Sequence, residues 1–269
     1  MILVTGSTGT IGSKVLKQLQ KNNIAVRAVS KDDSFDWSKP ETFDNTLAGI
    51  DKVFLISPPN YQPFDAEIIP FVKKAKEAGV KFILLSTLFG TDNTPETTFG
   101  KAEKVVREKG INYAIVRPNF IFENFINYDL QAIKNGVIYL PTANSKTSYI
   151  DVRDVANAST KILLDPEEHS GKAYTLTGSE SLSHEEIAAV FSEVLGKTIT
   201  NVAPTNDEYK ATLLTYNLPQ PVVDFMGYLY SAIEAGLFSG ISDDYYKVTG
   251  EYPTTIKAFI EQHLAVFAD

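Results

Sequence analysis

Short apolar runs alternate along this chain with stretches whose apolar residues recur at helical spacing. The runs fall at Ile2–Val4, Ala25–Val29, Val53–Ile56, Phe82–Leu85 and Tyr113–Val116, each the length of a strand buried on both faces. After the first run, Ile11, Val15, Leu16 and Leu19 repeat with a helical period. A second helix is expected over Ile68–Ala78, with Pro70 tolerable only near its first turn or at a kink, and Gly79 ending it. A charged helix runs to Lys109 and stops at Gly110. Asp32–Asp44 is polar and short, anchored by Phe35 and Trp37, and leaves little room for a full helix. This alternation predicts an α/β fold with a doubly wound parallel sheet of Rossmann type.

Beyond Pro118 the pattern loosens. Phe120, Phe122, Phe125 and Tyr128 crowd one stretch, as in a pocket lining. Tyr149–Val152 and Tyr174–Leu176 read as strands returning to the main sheet, and Asp207–Tyr216 and Val222–Leu237 as helices. Ser183 and Glu186 form a capping box for a helix ending near Gly196. The last helix sets Ile256, Phe259, Ile260 and Leu264 on one face. The expected division is a sheet domain over 1–125, with 149–178 returning to it. A smaller, mostly helical lobe for substrate takes 126–148 and 179–269.

Between the first strand and the first helix lie Gly6, Gly9 and Gly12. In that context they read as a dinucleotide turn. The first glycine permits the sharp turn, the second lets a pyrophosphate approach the backbone, and the third lets helix pack on strand. Thr10 and Ile11 would offer backbone N–H groups at the helix start.

Composition narrows the partners. Hydrophobic residues are 43%, charged residues 22% and the net charge is −8, with no run of Lys or Arg. Nucleic acid is therefore not expected as a partner, since neutralising phosphates needs clustered cations. Cysteine is absent, which excludes thiol catalysis and disulfides. No apolar stretch is long enough to span a bilayer and nothing reads as a signal peptide, so a cytoplasmic protein is expected. Gly196-Lys197-Thr198 lacks the earlier glycine of a P-loop and reads as a helix C-cap. His169, His184 and His263 are scattered, read as surface or capping residues, and suggest no metal site. No Tyr is followed four residues later by Lys, so the phenol–ammonium acid of ordinary alcohol dehydrogenation is missing.

The turn Thr5-Gly6-Ser7-Thr8-Gly9-Thr10-Ile11-Gly12 resembles that of the NmrA-like atypical short-chain dehydrogenase/reductases. The resemblance continues through Gly79-Val80-Lys81-Phe82-Ile83, Gly110-Ile111-Asn112-Tyr113, Arg117-Pro118-Asn119-Phe120 and Glu123-Asn124-Phe125. It also takes in Tyr149-Ile150-Asp151-Val152-Arg153-Asp154-Val155-Ala156, and Thr249-Gly250-Glu251-Tyr252-Pro253 resembles an ergot-alkaloid reductase branch. It implies an NAD(P)-binding protein, either a reductase of quinones, dyes or imines or a nucleotide-sensing regulator. Phe99 stands where several relatives carry His or Lys, while Glu103 keeps the acidic position.

Roles follow from the strand ends. Ser30 and Lys31 stand where an acidic residue would bind the ribose of NAD, which favours NADP(H), with NAD(H) kept open by Asp32. Arg27 is a second candidate for the 2′-phosphate, or a strand residue snorkelling to solvent. Ser57 and Pro58 are assigned to the adenosine ribose, Ser86 and Thr87 to the nicotinamide ribose, and Pro118, Asn119 and Phe120 to the nicotinamide. Phe122, Asn124, Phe125 and Tyr128 are candidates for the substrate side, with core packing as the alternative. Tyr149 is the spare hydroxyl for catalysis, or a buried tyrosine bonded to backbone. The reading is an NADPH-dependent reductase delivering hydride to a conjugated, largely apolar small molecule such as a quinone, iminium or enone. The alternative is an NAD(P)-sensing regulator acting through a protein partner, and a homodimer is a further expectation.

Overall fold

This computed structural model describes residues 1–30, 35–56 and 64–268. Along the chain come β1 (Ile2–Val4), α1 (Thr10–Lys21), β2 (Val26–Ala28), α2 (Phe43–Leu47), β3 (Lys52–Ile56), α3 (Phe64–Glu77) and β4 (Phe82–Ser86). Next are α4 (Thr98–Glu108), β5 (Asn112–Pro118), α5 (Asn124–Asn127), α6 (Leu130–Lys134), β6 (Val137–Tyr139) and β7 (Lys146–Thr147). There follow α7 (Val152–Leu164), α8 (Pro166–His169), β8 (Ala173–Leu176), β9 (Leu182–Ser183), α9 (His184–Leu195) and β10 (Thr200–Val202). Last are α10 (Asn206–Thr215), α11 (Gln220–Glu234), α12 (Asp244–Thr249), α13 (Ile256–Gln262) and α14 (Leu264–Phe267).

The chain divides into two compact units. Unit 1 comprises Met1–Pro118, Val152–Leu176 and Asp244–Glu251; unit 2 comprises Asn119–Asp151, Thr177–Asp243 and Tyr252–Asp269. Asn119–Phe125 thus group with unit 2, and the short helix α12 with unit 1.

Unit 1 holds a six-stranded sheet in the order β2-β1-β3-β4-β5-β8, parallel throughout. Its central strands are buried without interruption, as their apolar runs require once helices cover both faces. Leu3, Val53, Leu55, Ile83, Leu85 and Ile115 belong to one core with Phe71 of α3. Tyr174–Leu176 returns to the main sheet, as its apolar pattern predicts, and there pairs with β5. Tyr149–Val152 does not join this sheet. It contributes one bridge, Ile121 to Ile150, inside unit 2, and Val152 already opens α7.

Two helices also depart from the pattern. Pro70 lies in the interior of α3, because that helix starts four residues earlier than its apolar period indicates. The last helix breaks at His263, and Leu264 beyond the break is exposed rather than on the buried face.

Unit 2 is mostly helical, with two small ribbons, β10 on β6 in parallel and β7 on β9 antiparallel. Its core gathers Phe122, Phe125, Tyr149, Ile187, Phe191, Phe259 and Phe267. The Ser183–Glu186 capping box is complete in both directions, and Gly196 ends α9 in the left-handed conformation.

Candidate active site

The glycine turn is built from backbone alone. Gly6 takes φ +59, a left-handed conformation that carries the chain out of β1. A Cβ on Gly12 would lie 2.2 Å from the Gly6 carbonyl oxygen, so α1 closes on the turn only because that atom is missing. Among the described residues a Cβ on Gly9 would meet one neighbour within 4 Å, the Gly6 oxygen at 3.2 Å. No other described residue comes that close. Gly9 is also the N-cap of α1 and has no side chain to cap it, and no acidic residue stands in the first turn. The leading N–H groups of a helix lack intrahelical acceptors, so this end suits an anion.

Two buried serines stand at the carboxyl ends of strands on the same edge of the parallel sheet. Ser7 follows β1 and Ser86 ends β4, and neither has a side-chain hydrogen bond to another described residue. A serine hydroxyl both donates and accepts, and ligands of open α/β sheets bind beyond the carboxyl ends of the strands, so these two suit a polar ligand. The side-chain-free turn at Gly9 and these serines together fit a bound dinucleotide.

Arg27 does something else. Its Nη1 donates to the carbonyls of Asn45, Thr46 and Ala48 at 3.0, 2.7 and 2.9 Å, which ties β2 to the end of α2. These backbone acceptors engage one of its three nitrogens. Ser30 is buried at the end of the same strand. Lys31, Ser57 and Pro58 lie outside the described residues.

At the ends of β4 and β5 a charged network fixes the backbone. The Thr87 hydroxyl donates to Glu103 Oε1 at 2.9 Å. Arg117 grips the same carboxylate with Nε to Oε1 at 2.9 Å and Nη2 to Oε2 at 2.7 Å, a fork-on-fork pair. Arg107 adds a third cationic donor at 3.3 Å and lies over the Tyr113 ring. Burial pushes the Glu103 carboxyl up, but the bonds and charge of Arg117, with Thr87 and Arg107, outweigh it and hold it below the ordinary range. Thr87, given to the ribose by strand position alone, thus has its proton committed inward. Phe99 is half-buried one turn before Glu103 and supplies no proton. Pro118, the last residue of β5, is buried and its carbonyl accepts from the Phe89 N–H at 2.9 Å.

In unit 2 most candidates are engaged with one another. Asn119 spends both amide protons on Ser148 Oγ and the Phe238 carbonyl, at 2.7 and 2.9 Å, and its oxygen accepts from the Phe120 N–H. Phe120 packs edge-on to Phe238. Phe125 is fully enclosed, 5.1 Å from the Tyr149 ring and 5.7 Å from Phe191, whereas Tyr128 is 75% exposed. Asn124 is half-buried. Phe122 is buried and borders a small recess with Tyr149.

The Tyr149 hydroxyl meets His184 Nε2 at 3.0 Å, and His184 Nδ1 meets the Thr142 hydroxyl at 2.8 Å. This corrects two expectations. Tyr149 bonds to an imidazole rather than backbone, and His184 is fully buried rather than a surface residue. Burial pulls His184 down to about 4, so the ring is neutral, with one nitrogen donating and the other accepting. Burial, then the charge of Asp129, pushes the Tyr149 phenol well above its usual value. Asp129 itself is raised to about 7 by burial. His169 is likewise buried, with Nδ1 2.7 Å from the Tyr174 hydroxyl. His184 directly follows the N-cap Ser183, so its position resembles a capping site, while its partners lie 35 and 42 residues away.

A parallel α/β sheet with an uncapped glycine turn at the end of its first strand defines a dinucleotide-binding protein of the Rossmann class. The chain matches the NmrA-like family over residues 1–260 and belongs to that family. It is 32% identical to an NAD(P)H azoreductase of Xenophilus azovorans, over 99% of each chain. It is 27% identical to quinone oxidoreductase 2 of Escherichia coli, over 98% of each. Among solved structures it resembles Citrobacter sp. triphenylmethane reductase complexed with NADP(H). That match has a TM-score of 0.82 and 25% identity, covering 97% of this chain and 99% of that one. Among the described residues no helix is long and apolar enough to cross a membrane.

Proposed function

We propose that this chain is an NAD(P)H-dependent reductase, with NADPH preferred, acting on a conjugated and largely apolar small molecule such as a quinone. The observation that supports the reading is the side-chain-free turn at Gly9, which among the described residues has one close neighbour, on the sheet edge that also carries Ser7 and Ser86. The azoreductase and quinone oxidoreductase among its relatives point to the same chemistry. When bound, the nicotinamide supplies the hydride. Gly6, Gly9, Thr10, Ile11 and Gly12 hold the pyrophosphate on backbone donors, and Ser86 meets the ribose of the reacting half. Thr87, Pro118, Asn119 and Phe120 shape that end through the bonds they make to their own unit. Lys31 supplies the cation for the 2′-phosphate.

A quinone carries its own electron sink and takes its proton from water, so the absence of a Tyr–Lys pair is no obstacle. Phe122 belongs to the substrate side, while Phe125 and Tyr149 serve it by packing. The same reading assigns the chain to the cytoplasm, without nucleic acid or membrane as partners. The test is consumption of NADPH and of NADH with a panel of quinones. Turnover faster with NADPH is expected. Tight NADPH binding without turnover on any acceptor would overturn the reading in favour of a nucleotide sensor with a protein partner.

A further inference from the structure

Within unit 1 the carboxyl ends of β4 and β5 present two different faces. Ile83 and Leu85 of β4 and Ile115 of β5 share one core with Phe71 of α3 and with Ala102 and Val106 of α4. Side chains alternate across a strand, so Thr87 and Arg117 continue that face to the edge of the sheet. Ser86, in step with Phe82 and Leu84, faces the opposite side. Neighbours in sequence thus have separate surroundings: Thr87 looks toward α4, and Ser86 away from it.

On the α4 side a single carboxylate joins the two strand ends. Glu103 accepts from the Thr87 hydroxyl at 2.9 Å and from Nε and Nη2 of Arg117 at 2.9 and 2.7 Å. The Thr87 N–H donates to the Val116 carbonyl and the Phe89 N–H to the Pro118 carbonyl, each at 2.9 Å. The chain therefore stays alongside β5 beyond the last residue of β4. Arg117 also reaches the turn Thr91–Asn93, with Nη1 3.4 Å from Asp92 Oδ2. The loop that leaves Ser86 is fastened at Thr87, Phe89 and Asp92, and Glu103 or its partner Arg117 takes part at the first and the last. Both charges are buried, so loosening one strands the other. A hydroxyl fixed in this way before a ligand arrives spares the cost of ordering it on binding.

We propose that Glu103 is a positioning residue: from the far face of the sheet it fixes the end of β4 so that Ser86 meets the ribose of the reacting half of NADPH. The proposal rests on the reductase reading for its ligand and gives Glu103 no contact with cofactor or acceptor.

Calorimetry with NADPH and with adenosine 2′,5′-bisphosphate separates the two ends of the cofactor, because the bisphosphate lacks the ribose assigned to Ser86. Ser86→Ala should bind NADPH about two- to tenfold more weakly, the loss of one hydrogen bond, and the bisphosphate within about twofold of wild type. Thr87→Val removes the bond to Glu103. It should weaken NADPH at least about twofold, by no more than Ser86→Ala does, and spare the bisphosphate. Thr87→Ser keeps the hydroxyl and should bind NADPH within about twofold of wild type. Adding Thr87→Val to Ser86→Ala should cost less than about twofold further, because Thr87 acts through Ser86. Glu103→Gln should show the same coupling, and the Thr87 variants decide the matter if it does not fold.

Additive losses, or equal losses for the bisphosphate, would overturn the proposal. So would a Thr87→Val variant that melts lower than wild type yet binds NADPH as well, since Glu103 would then serve the fold alone. Coupled losses in a protein that reduces no quinone would sink the reductase reading and leave Glu103 in its role. Quinone reduction by a wild type whose Thr87→Val variant binds NADPH normally would do the reverse.

Discussion

On the sheet edge of unit 1 that carries the glycine turn, the groups able to meet a ligand are backbone N–H donors and two serine hydroxyls without side-chain partners among the described residues. In unit 2 the residues of strongest chemical character, Tyr149 and His184, are already bonded to each other and to Thr142. The first region offers its backbone because side-chain atoms are missing from it. The second is closed because its polar atoms satisfy one another. A search for function by residue type would choose the tyrosine and the histidine. Their geometry assigns them to holding unit 2 together, and in the proposed function binding falls to glycines and serines.

The largest effect that would test this contrast is the acid sensitivity of His184. Its folded value, about 4, lies below the ordinary 6.5 of an unfolded histidine. The unfolded chain therefore binds the extra proton first as pH falls, and stability present above pH 6.5 is lost down to pH 4. The loss amounts to about 3 kcal/mol. Asp129, raised to about 7, runs the other way, so the comparison must be made against a variant. Urea unfolding at pH 7 and pH 4 should cost wild type about 3 kcal/mol more than it costs His184→Gln. A difference that does not move with pH would mean that His184 is not held neutral in the fold.

Next in size is the turn itself. Gly9→Val puts a branched side chain into the space left for pyrophosphate, and NADPH affinity should fall at least tenfold, about 1.4 kcal/mol. Fluorescence titration of a variant with wild-type circular dichroism measures it. Near-normal affinity would remove the turn from the binding site and erase the contrast between the units.

The smallest effect belongs to Tyr149→Phe. If the hydroxyl only braces His184, turnover with a quinone should change within a few-fold and stability should drop by about 1 kcal/mol. A general acid contributes about 10²–10⁴-fold, well outside that range. A hundredfold loss of turnover in a folded, NADPH-binding variant would make Tyr149 catalytic after all.

What the sequence makes legible depends on how far apart the interacting residues lie. The glycine turn, the Ser183–Glu186 box and the left-handed Gly196 are each decided within a few residues, and their patterns can be read directly. Tyr149–Val152 is not separable that way. A four-residue apolar run fits a strand or the start of a buried helix equally, and here it spans a single bridge and the first residue of α7. The bond from His184 to Tyr149, and the capture of Glu103 by Arg117, join side chains whose pairing only the tertiary fold decides. Arg27 shows the same limit. A cation within β2 is equally suited to a phosphate or to a helix end, and the three carbonyls of 45, 46 and 48 engage its Nη1.

The chain has one tryptophan. Trp37 sits in unit 1, edge-on to Phe35 at 4.9 Å and 5.1 Å from Phe71. Tryptophan emission is therefore an optical report on the nucleotide-binding half alone, while unit 2 is visible only through its tyrosines and helices. Melting followed at both signals turns that accident of composition into a measure of cooperativity. Coincident transitions mean that the two units unfold as one, and separate transitions resolve the stability of each without cutting the chain.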